Sequence, residues 1–304
     1  MPAKILVHTP RISASSYSNT APLVWSFLYG SEHGNVEIIL DNAPSRSAEL
    51  LTQDRVDAAL VPVIVSQVIP DVRIIPDVCV GARERVQSVA LITRGVELSD
   101  VRSVALDTSS RTSVILTKII FREFLGFEPE WRDAAPDIDA MLDENDAALL
   151  IGDPALSIAD CGSRIADFDG GSSPASVDDL SDRQVEDSNS AIRNPRSAIR
   201  KFDLAELWRH HTGLGFVFAM WMTRRQECPI DFAAARDEGV QHISEIASNY
   251  EPEIGLSRDQ MIEYLSDSIS YSVDDSMEAG MKLYFELAGK CRLIDSVQPT
   301  RYLE

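Results

Sequence analysis

The stretch Ser103–Leu125, SVALDTSSRTSVILTKIIFREFL, predicts a strand, a polar turn and a helix in direct succession. Val104–Leu106 is a short apolar run of the kind that fills a buried strand. Thr112–Leu125 then carries apolar residues mainly three and four positions apart, and Gly126 follows at the usual position of a helix C-cap. This succession is the repeating unit of an α/β protein, so it indicates the fold class.

The polar turn of this stretch is rich in groups that bind anions. Four hydroxyls and one guanidinium lie next to the free N–H groups of the predicted helix start. They belong to Thr108, Ser109, Ser110, Thr112 and Arg111. Ser109 or Ser110 is also a suitable helix cap, and a cap without any ligand explains the segment by itself. An anion site therefore needs support from other parts of the chain.

Strands and helices alternate on both sides of this stretch, which predicts parallel sheets joined by crossover helices. The further strands are expected at Lys4–Val7, Val36–Leu40, Asp57–Val61, Val72–Ile75, Val78–Val80, Ser88–Thr93, Glu130–Asp133, Ala147–Ile151 and Gly213–Met222. The further helices are expected at Thr20–Tyr29, Arg46–Thr52, Asp137–Leu142, Leu204–His211, Ala233–Ser248, Arg258–Ser270 and Asp274–Ala288, with Asp203, Ser257 and Asp274 as caps. The polar segment Ser13–Asn19 is expected to be a loop.

Two α/β lobes follow from this order, with a C-terminal helical tail. We expect residues 1–92 and 217–304 to form the first lobe and residues 93–216 the second. The second lobe would include a flexible insertion at about 168–201, which is rich in Gly, Ser and charged residues. The chain would cross between the lobes at Ser88–Arg94 and again at Leu214–Thr223, leaving a cleft with a hinge beneath it.

The overall charge restricts the possible partners. The chain has 304 residues and a formal net charge of -20, which argues against nucleic acid and anionic membranes. A small anionic substrate stays possible, because a local cluster of donors decides its binding. No apolar run is long enough to span a membrane, and the N-terminus does not resemble a signal peptide. The four cysteines are widely scattered, so a reducing cytoplasm is the expected location.

Common catalytic and cofactor motifs do not occur in the sequence. There is no dinucleotide-binding, P-loop, zinc-protease or nucleophile-elbow pattern. Of the five histidines, His8 alone follows a predicted sheet strand, and a structural role is expected for it. What remains is a set of small polar residues where strands end and helices begin: Ser15, Ser16, Ser18, Asn19, Ser45, Ser88 and Ser109–Thr112. In open α/β sheets ligands bind at such positions, so these groups together predict an anion-binding cleft.

Segments along nearly the whole chain resemble, in order, the motifs of one enzyme family. The residues that carry the resemblance are Ser16–Leu23 (SYSNTAPL), Pro44–Leu51, Asp57–Pro62 (DAALVP), Gly81–Val89, Leu106–Val114 (LDTSSRTSV), Leu150–Asp153 (LIGD) and Thr212–Trp221. The family is that of the menaquinone-biosynthesis chorismate dehydratases, the MqnA family of the futalosine pathway. Ser18 stands where this family usually has Leu, and Gly215 where it usually has Pro.

The resemblance implies a type II periplasmic-binding-protein fold in the cytoplasm. It implies a lyase that dehydrates chorismate, a dicarboxylate, to 3-[(1-carboxyvinyl)oxy]benzoate without a metal or organic cofactor. By the same resemblance Asn19 and Ser88 are the catalytic residues. The substrate would be held by Ser16, Ser45, Ser109, Ser110, Arg111, Thr112 and Asp153.

Three alternatives stay open at this point. One is 1,4-dihydroxy-6-naphthoate synthase, a sister enzyme whose first motif differs from SYSNTAPL. Another is a small-carboxylate binding protein of the same fold without catalytic activity. The third is a ligand-sensing regulatory domain, which should carry a DNA-binding helix-turn-helix that this sequence does not show. The oligomeric state, the proton acceptor and the role of the 168–201 insertion are not assigned.

Overall fold

The structure, a computed structural model, describes residues 9–158 and 199–304. Its strands are β1 Arg11–Ser15, β2 Glu37–Asp41, β3 Ala58–Pro62, β4 Arg73–Ala82, β5 Val89–Arg94, β6 Ser103–Asp107, β7 Glu130–Ala134, β8 Ala147–Ile151, β9 Ile199–Asp203 and β10 Phe216–Thr223. Its α-helices are α1 Ala21–Tyr29, α2 Pro44–Thr52, α3 Thr112–Ile119, α4 Ile138–Glu144, α5 Gly152–Leu156, α6 Leu204–Thr212, α7 Phe232–Gln241, α8 Ile243–Ile254, α9 Arg258–Glu263 and α10 Asp275–Lys290. The predicted strand Lys4–Val7, His8 and all but the end of the 168–201 insertion lie outside the described residues.

The strands form two mixed sheets, one in each lobe. The first has the order β2-β1-β3-β10-β4 and the second the order β7-β6-β8-β5-β9. Neighbouring strands are parallel where β1 meets β2 and β3, and where β6 meets β7 and β8. β10 and β5 run antiparallel to both of their neighbours. The two-lobed α/β architecture with a helical C-terminal region is therefore confirmed.

The sheet partners of β5 also bear on the lobe boundaries. All residues of β5 pair with β8 or β9, in the second sheet, whereas β10 pairs with β3 and β4 in the first. The expected boundary at residue 92 falls inside β5. We therefore propose a first boundary near Ser88 and keep the second near residue 216.

Two strands escaped prediction because their sequences are polar. β1 lies in the expected loop Ser13–Asn19 and the residues before it, yet all of its residues after Arg11 are buried. The Ser13 hydroxyl finds a partner inside the protein, since its Oγ lies 2.9 Å from Ser47 Oγ on α2. β9 forms at the end of the expected insertion, where it completes an edge of the second sheet.

The helical tail follows the predicted pattern with shifted ends. The single helix expected at Ala233–Ser248 is two helices, α7 and α8, which meet at His242. The caps are confirmed: Asp203 and Asp274 accept hydrogen bonds from the first turns of α6 and α10, and Ser257 forms a capping box with Gln260. α9 continues as a π-helical turn, Tyr264–Ser268. This turn contacts Gln87 in the hinge, the turn of residues 86–88 where the chain enters the second lobe.

The last long helix, α10, connects the lobes. It packs on β10 in the first lobe and on α3 in the second. Tyr284 on this helix is fully buried, and its hydroxyl donates to the backbone oxygen of Thr112 at the start of α3 (3.0 Å). The tail therefore holds the start of α3, which belongs to the polar turn in the cleft.

Candidate functional site

A small cavity lies between the two lobes, at the level of the hinge. Its volume is about 60 Å³. The first lobe contributes Ser15, Tyr17, Asn19, Thr20, Pro44, Leu60, Pro62, Val80, Phe218 and Ala219, and the second contributes Val89, Ser110, Thr112, Ser113, Ile151 and Gly152. Hydroxyl and amide groups therefore face an otherwise apolar wall from both sides.

Asn19 reaches this cavity from a 3-10 turn, Ser18–Thr20, that leads into α1. Thr20 locks the turn, because its hydroxyl lies 2.6 Å from the Ser15 oxygen and 2.8 Å from the Tyr17 oxygen. The amide nitrogen of Asn19 donates toward Ser88 Oγ at 3.4 Å. The two residues expected to be catalytic are thus neighbours in space, although 69 positions separate them.

Ser88 is fully buried directly behind Asn19, and its neighbour Val89 lines the cavity. A tight turn presents it: Ser88 N donates to the Val86 oxygen (2.7 Å), and Gln87 between them has a positive φ of 59°. A positive φ is unusual for Gln, so the turn must be held by other contacts. Asp203 provides them.

The buried carboxylate of Asp203 ties the hinge turn to α6. It accepts hydrogen bonds from the backbone nitrogens of Val86 and Gln87 on one side and of Ala205 and Glu206 on the other. Burial raises the pKa of Asp203, and the four N–H groups oppose that rise. A carboxylate with so many donors is rigidly placed, so it fixes the position of Ser88.

In the second lobe, Ser110 and Thr112 line the cavity. Ser110 Oγ accepts from Ser113 N (3.2 Å) and so caps the first turn of α3. Ser109 lies one position back, where its hydroxyl and backbone nitrogen both donate to Asp107 Oδ1 at 2.6 and 2.8 Å. Burial raises the pKa of Asp107, which is fully buried. Asp107 thus orients the polar turn.

Tyr17 is a cavity residue that the sequence analysis did not single out. Its ring lies against Gly152, which has a φ of 65° and where an added Cβ would come within 2.6 Å of the ring. Burial raises the pKa of the Tyr17 phenol, and the hydroxyl of Ser109 opposes that rise. The ring from the first lobe and the glycine from the second therefore touch across the cleft. The signal in the sequence that could have indicated Tyr17 was its position two residues before Asn19 in the motif SYSNTAPL.

Asp153 binds the other lobe and does not line the cavity. Its carboxylate accepts from the Ser18 backbone nitrogen (3.1 and 3.2 Å) and from the Ser18 hydroxyl (2.5 Å). Burial raises the pKa of Asp153, and the bonds from Ser18 oppose that rise. Ser18, the position at which the sequence departs from the family motif, is thus one half of an interlobe contact.

Besides Asp153 and Ser109, three further expected substrate contacts do not line the cavity: Arg111, Ser16 and Ser45. Arg111 lines a separate groove of about 830 Å³. The other walls of this groove are residues of the segment 64–72, the beginning of α3 and residues of the C-terminal segment 293–301. Ser16 Oγ donates to Asn42 Oδ1 (2.9 Å), and Ser45 is half-buried in the first turn of α2 beside Pro44. Ser110 belongs to both the cavity and the groove.

Within residues 9–158 and 199–304, no three His, Cys, Asp or Glu side chains cluster in a way that could hold a metal ion. In the same part of the chain, no helix is both long and apolar enough to cross a membrane.

A family model described as menaquinone biosynthesis matches residues 10–168 and 189–290. The chain belongs to the menaquinone biosynthesis family. The resemblance drawn from the sequence motifs is thereby confirmed. A chorismate dehydratase from Thermus thermophilus is 28% identical to this family member over 221 residues, which are 71% of this chain and 73% of that protein.

Solved structures agree on the fold of this family member. A protein from Archaeoglobus fulgidus matches 95% of this chain and 100% of its own with a TM-score of 0.62 and 16% identity. The periplasmic aliphatic sulphonate binding protein of Escherichia coli matches 96% of this chain and 92% of its own, with a TM-score of 0.56 and 16% identity. A Candida albicans protein described as having the generic periplasmic binding protein fold matches 97% of each chain, with a TM-score of 0.59 and 10% identity.

Proposed function

We propose that this protein is a chorismate dehydratase that forms 3-[(1-carboxyvinyl)oxy]benzoate and water for menaquinone biosynthesis. One observation carries the proposal: Asn19 Nδ2 lies 3.4 Å from Ser88 Oγ, at a cavity between the lobes. These are the residues to which the family resemblance gives catalysis. The 28% identical relative from Thermus thermophilus, named chorismate dehydratase, supports the same activity. The scattered cysteines suit a cytoplasmic enzyme.

The cleft offers the neutral donors that a dicarboxylate needs. Ser110 and Thr112 lie at the start of α3, where free backbone N–H groups favour negative charge. At about 60 Å³ the cavity is well below the ~300 Å³ at which small-molecule pockets begin. The lobes must therefore separate to admit the substrate, and their closure would exclude water from the reaction.

The reaction itself removes one proton and one hydroxide from neighbouring ring carbons. The proton leaves the carbon that carries the enolpyruvyl ether, and its C–H electrons become a new ring double bond. The C–O bond of the neighbouring hydroxyl breaks, and hydroxide and proton leave as water. Because the ring becomes aromatic, the step needs positioning more than a strong base.

Asn19 and Ser88 would orient the substrate and stabilise the negative charge that develops as the proton leaves. One such donor typically contributes ~3 kcal/mol, or on the order of 100-fold in rate. No cavity-lining side chain among the described residues is a carboxylate or a histidine. We therefore propose the enolpyruvyl carboxylate of the substrate as the proton acceptor.

Asn19→Ala tests this assignment. We expect kcat for chorismate to fall on the order of 100-fold while the thermal unfolding midpoint stays close to that of the wild type. Asn35→Ala is the matched control, because Asn35 is exposed and lies away from the cavity. The assay follows loss of the ring diene absorbance. Wild-type turnover by Asn19→Ala would remove Asn19 from the mechanism.

The same assay distinguishes the dehydratase proposal from two alternatives. A small-carboxylate binding protein would bind chorismate saturably and leave its absorbance unchanged. A 1,4-dihydroxy-6-naphthoate synthase would also leave chorismate intact. Either result with the wild-type protein would replace the dehydratase proposal.

A further inference from the structure

The π-helical turn Tyr264–Ser268 lies against the hinge that carries Ser88. Gln87 Nε2 donates to Ser268 Oγ at 2.6 Å. Two residues later, Ser270 and Gly81 exchange backbone hydrogen bonds of 3.0 and 2.8 Å. The tail is therefore attached to both ends of the segment that leads from β4 to Ser88. A side chain that projects from this turn toward the hinge is therefore held in a fixed position.

Tyr264 is that side chain. It is 1% exposed, and its hydroxyl finds no hydrogen-bond partner in residues 9–158 and 199–304. Burial raises the pKa of this hydroxyl; Ser88 and Asn19, the two proposed catalytic residues, oppose that rise, and the carboxylates of Asp153 and Asp203 add to it. Leaving a buried hydroxyl unpaired costs stability, so a phenylalanine would be the more stable choice here. An unpaired group of this kind at a functional site calls for a functional explanation.

Ser88 has hydrogen-bonding capacity to spare. Its Oγ lies 3.4 Å from the Val86 oxygen and 3.4 Å from Asn19 Nδ2, and both contacts are long. A serine hydroxyl accepts two hydrogen bonds and donates one. Contacts in a catalytic group are often long in the free enzyme and tighten when substrate binds. Two donors on the Ser88 oxygen would leave its proton free to point at the substrate.

We propose that Tyr264 is a positioning residue of this site, whose phenol donates to Ser88 Oγ when the substrate is bound. With Asn19 Nδ2 as the second donor, both acceptor positions of the oxygen are filled, and the Ser88 proton is directed to the substrate. Burial raises the pKa of Tyr264, so the phenol keeps its proton and acts as a donor. The inference rests on the proposed dehydratase function.

Tyr264→Phe is the first test, since it removes only the hydroxyl. We expect kcat for chorismate to fall roughly 10-fold with KM nearly unchanged, and the thermal unfolding midpoint to stay level or rise. Tyr271→Phe is the matched control. Its hydroxyl is also buried and unpaired within the described residues, but Tyr264 and Cys79 act on it instead of the catalytic pair. This control should keep the wild-type kcat.

A second variant pair tests whether Tyr264 acts through Ser88. In a Ser88→Ala background, Tyr264→Phe should change kcat less than about 2-fold, because the oxygen that the phenol serves is gone. Equal losses in both backgrounds would overturn the proposal, as would wild-type kcat in Tyr264→Phe alone. A wild-type protein that leaves chorismate intact would overturn the dehydratase function instead, and with it this role. The two failures are thus told apart by the wild-type assay.

Discussion

Asp203 and Thr20 hold the two proposed catalytic residues in place from behind. Asp203 accepts from the backbone nitrogens of Val86 and Gln87, and Thr20 closes the turn that carries Asn19. Thr20 lines the cavity, whereas Asp203 does not. Because each fixes a backbone turn, the small distance between Asn19 and Ser88 depends on Thr20, inside the first family motif, and on Asp203, outside all of the motifs.

Asp153 makes the stability of the protein depend on pH. Burial raises its pKa above the ordinary 3.8, so in the window between 3.8 and the raised pKa the folded protein holds a proton that the unfolded chain has lost. The contribution of Asp153 to the free energy of unfolding therefore falls as pH rises through this window.

Asp153→Asn isolates this contribution, since an amide oxygen can still accept from Ser18. Urea unfolding of wild type and variant between about pH 4 and 7 should give a difference, wild type minus variant, that decreases as pH rises. Asp295→Asn, an exposed position, should give no such trend. A difference that is constant or grows with pH would contradict the assignment.

The junction of β8 and α5 is a point of close contact between the lobes. Gly152 there has a positive φ and lies against Tyr17 of the other lobe. Gly126, the C-cap after the π-helical end of α3, also has a positive φ, but an added Cβ there would meet nothing within 4 Å. The two glycines thus share the backbone requirement and differ in the interlobe contact.

Gly152→Ala and Gly126→Ala should each lose about 1–2 kcal/mol of unfolding free energy from the left-handed backbone. Only Gly152→Ala should also lower kcat/KM, by on the order of 100-fold, because its methyl group would push Tyr17 and hold the lobes apart. Urea unfolding and the chorismate assay measure the two effects. Equal kcat/KM for both variants would show that this contact does not govern closure.

The predictable elements were those with a clear apolar period. β8 is fully apolar and was predicted at its observed ends, and the strand–turn–helix of Ser103–Leu125 was also found, its helix closing with a π-helical turn. β1 was missed because Ser13 and Ser15 read as polar although their partners bury them. The residue at which α7 and α8 meet is His242, which is neither proline nor glycine. The apolar periodicity therefore predicted one continuous helix.

The proposed binding of an anion is compatible with the net charge of -20. The acidic residues belong mainly to the surface, whereas the cavity is lined by hydroxyls, one amide and apolar groups. In a small, water-poor cleft neutral donors act strongly on a carboxylate, so the local groups outweigh the distant surface charge. A negative total charge therefore disfavours binding of nucleic acid more than it disfavours binding of a dicarboxylate.

Only those site residues that belong to the family motifs could be predicted from the sequence. The resemblance named Asn19 and Ser88, which the fold brings together. Asp203 was predicted as a helix cap, but its bonds to Val86 and Gln87 were not. Tyr17 and the proposed role of Tyr264 were missed because they depend on tertiary contacts between distant segments. Arg111 was expected at the substrate from its position in the polar turn, but a turn does not determine which way a long side chain points, and it lines the neighbouring groove.

Identification of the product by mass spectrometry tests the proposed activity most directly. Wild-type protein is incubated with chorismate, the products are separated, and their molecular masses are measured. We expect a single aromatic product that is one water lighter than chorismate and that matches synthetic 3-[(1-carboxyvinyl)oxy]benzoate. Intact chorismate, or an isomer of the same mass, would contradict the dehydratase function.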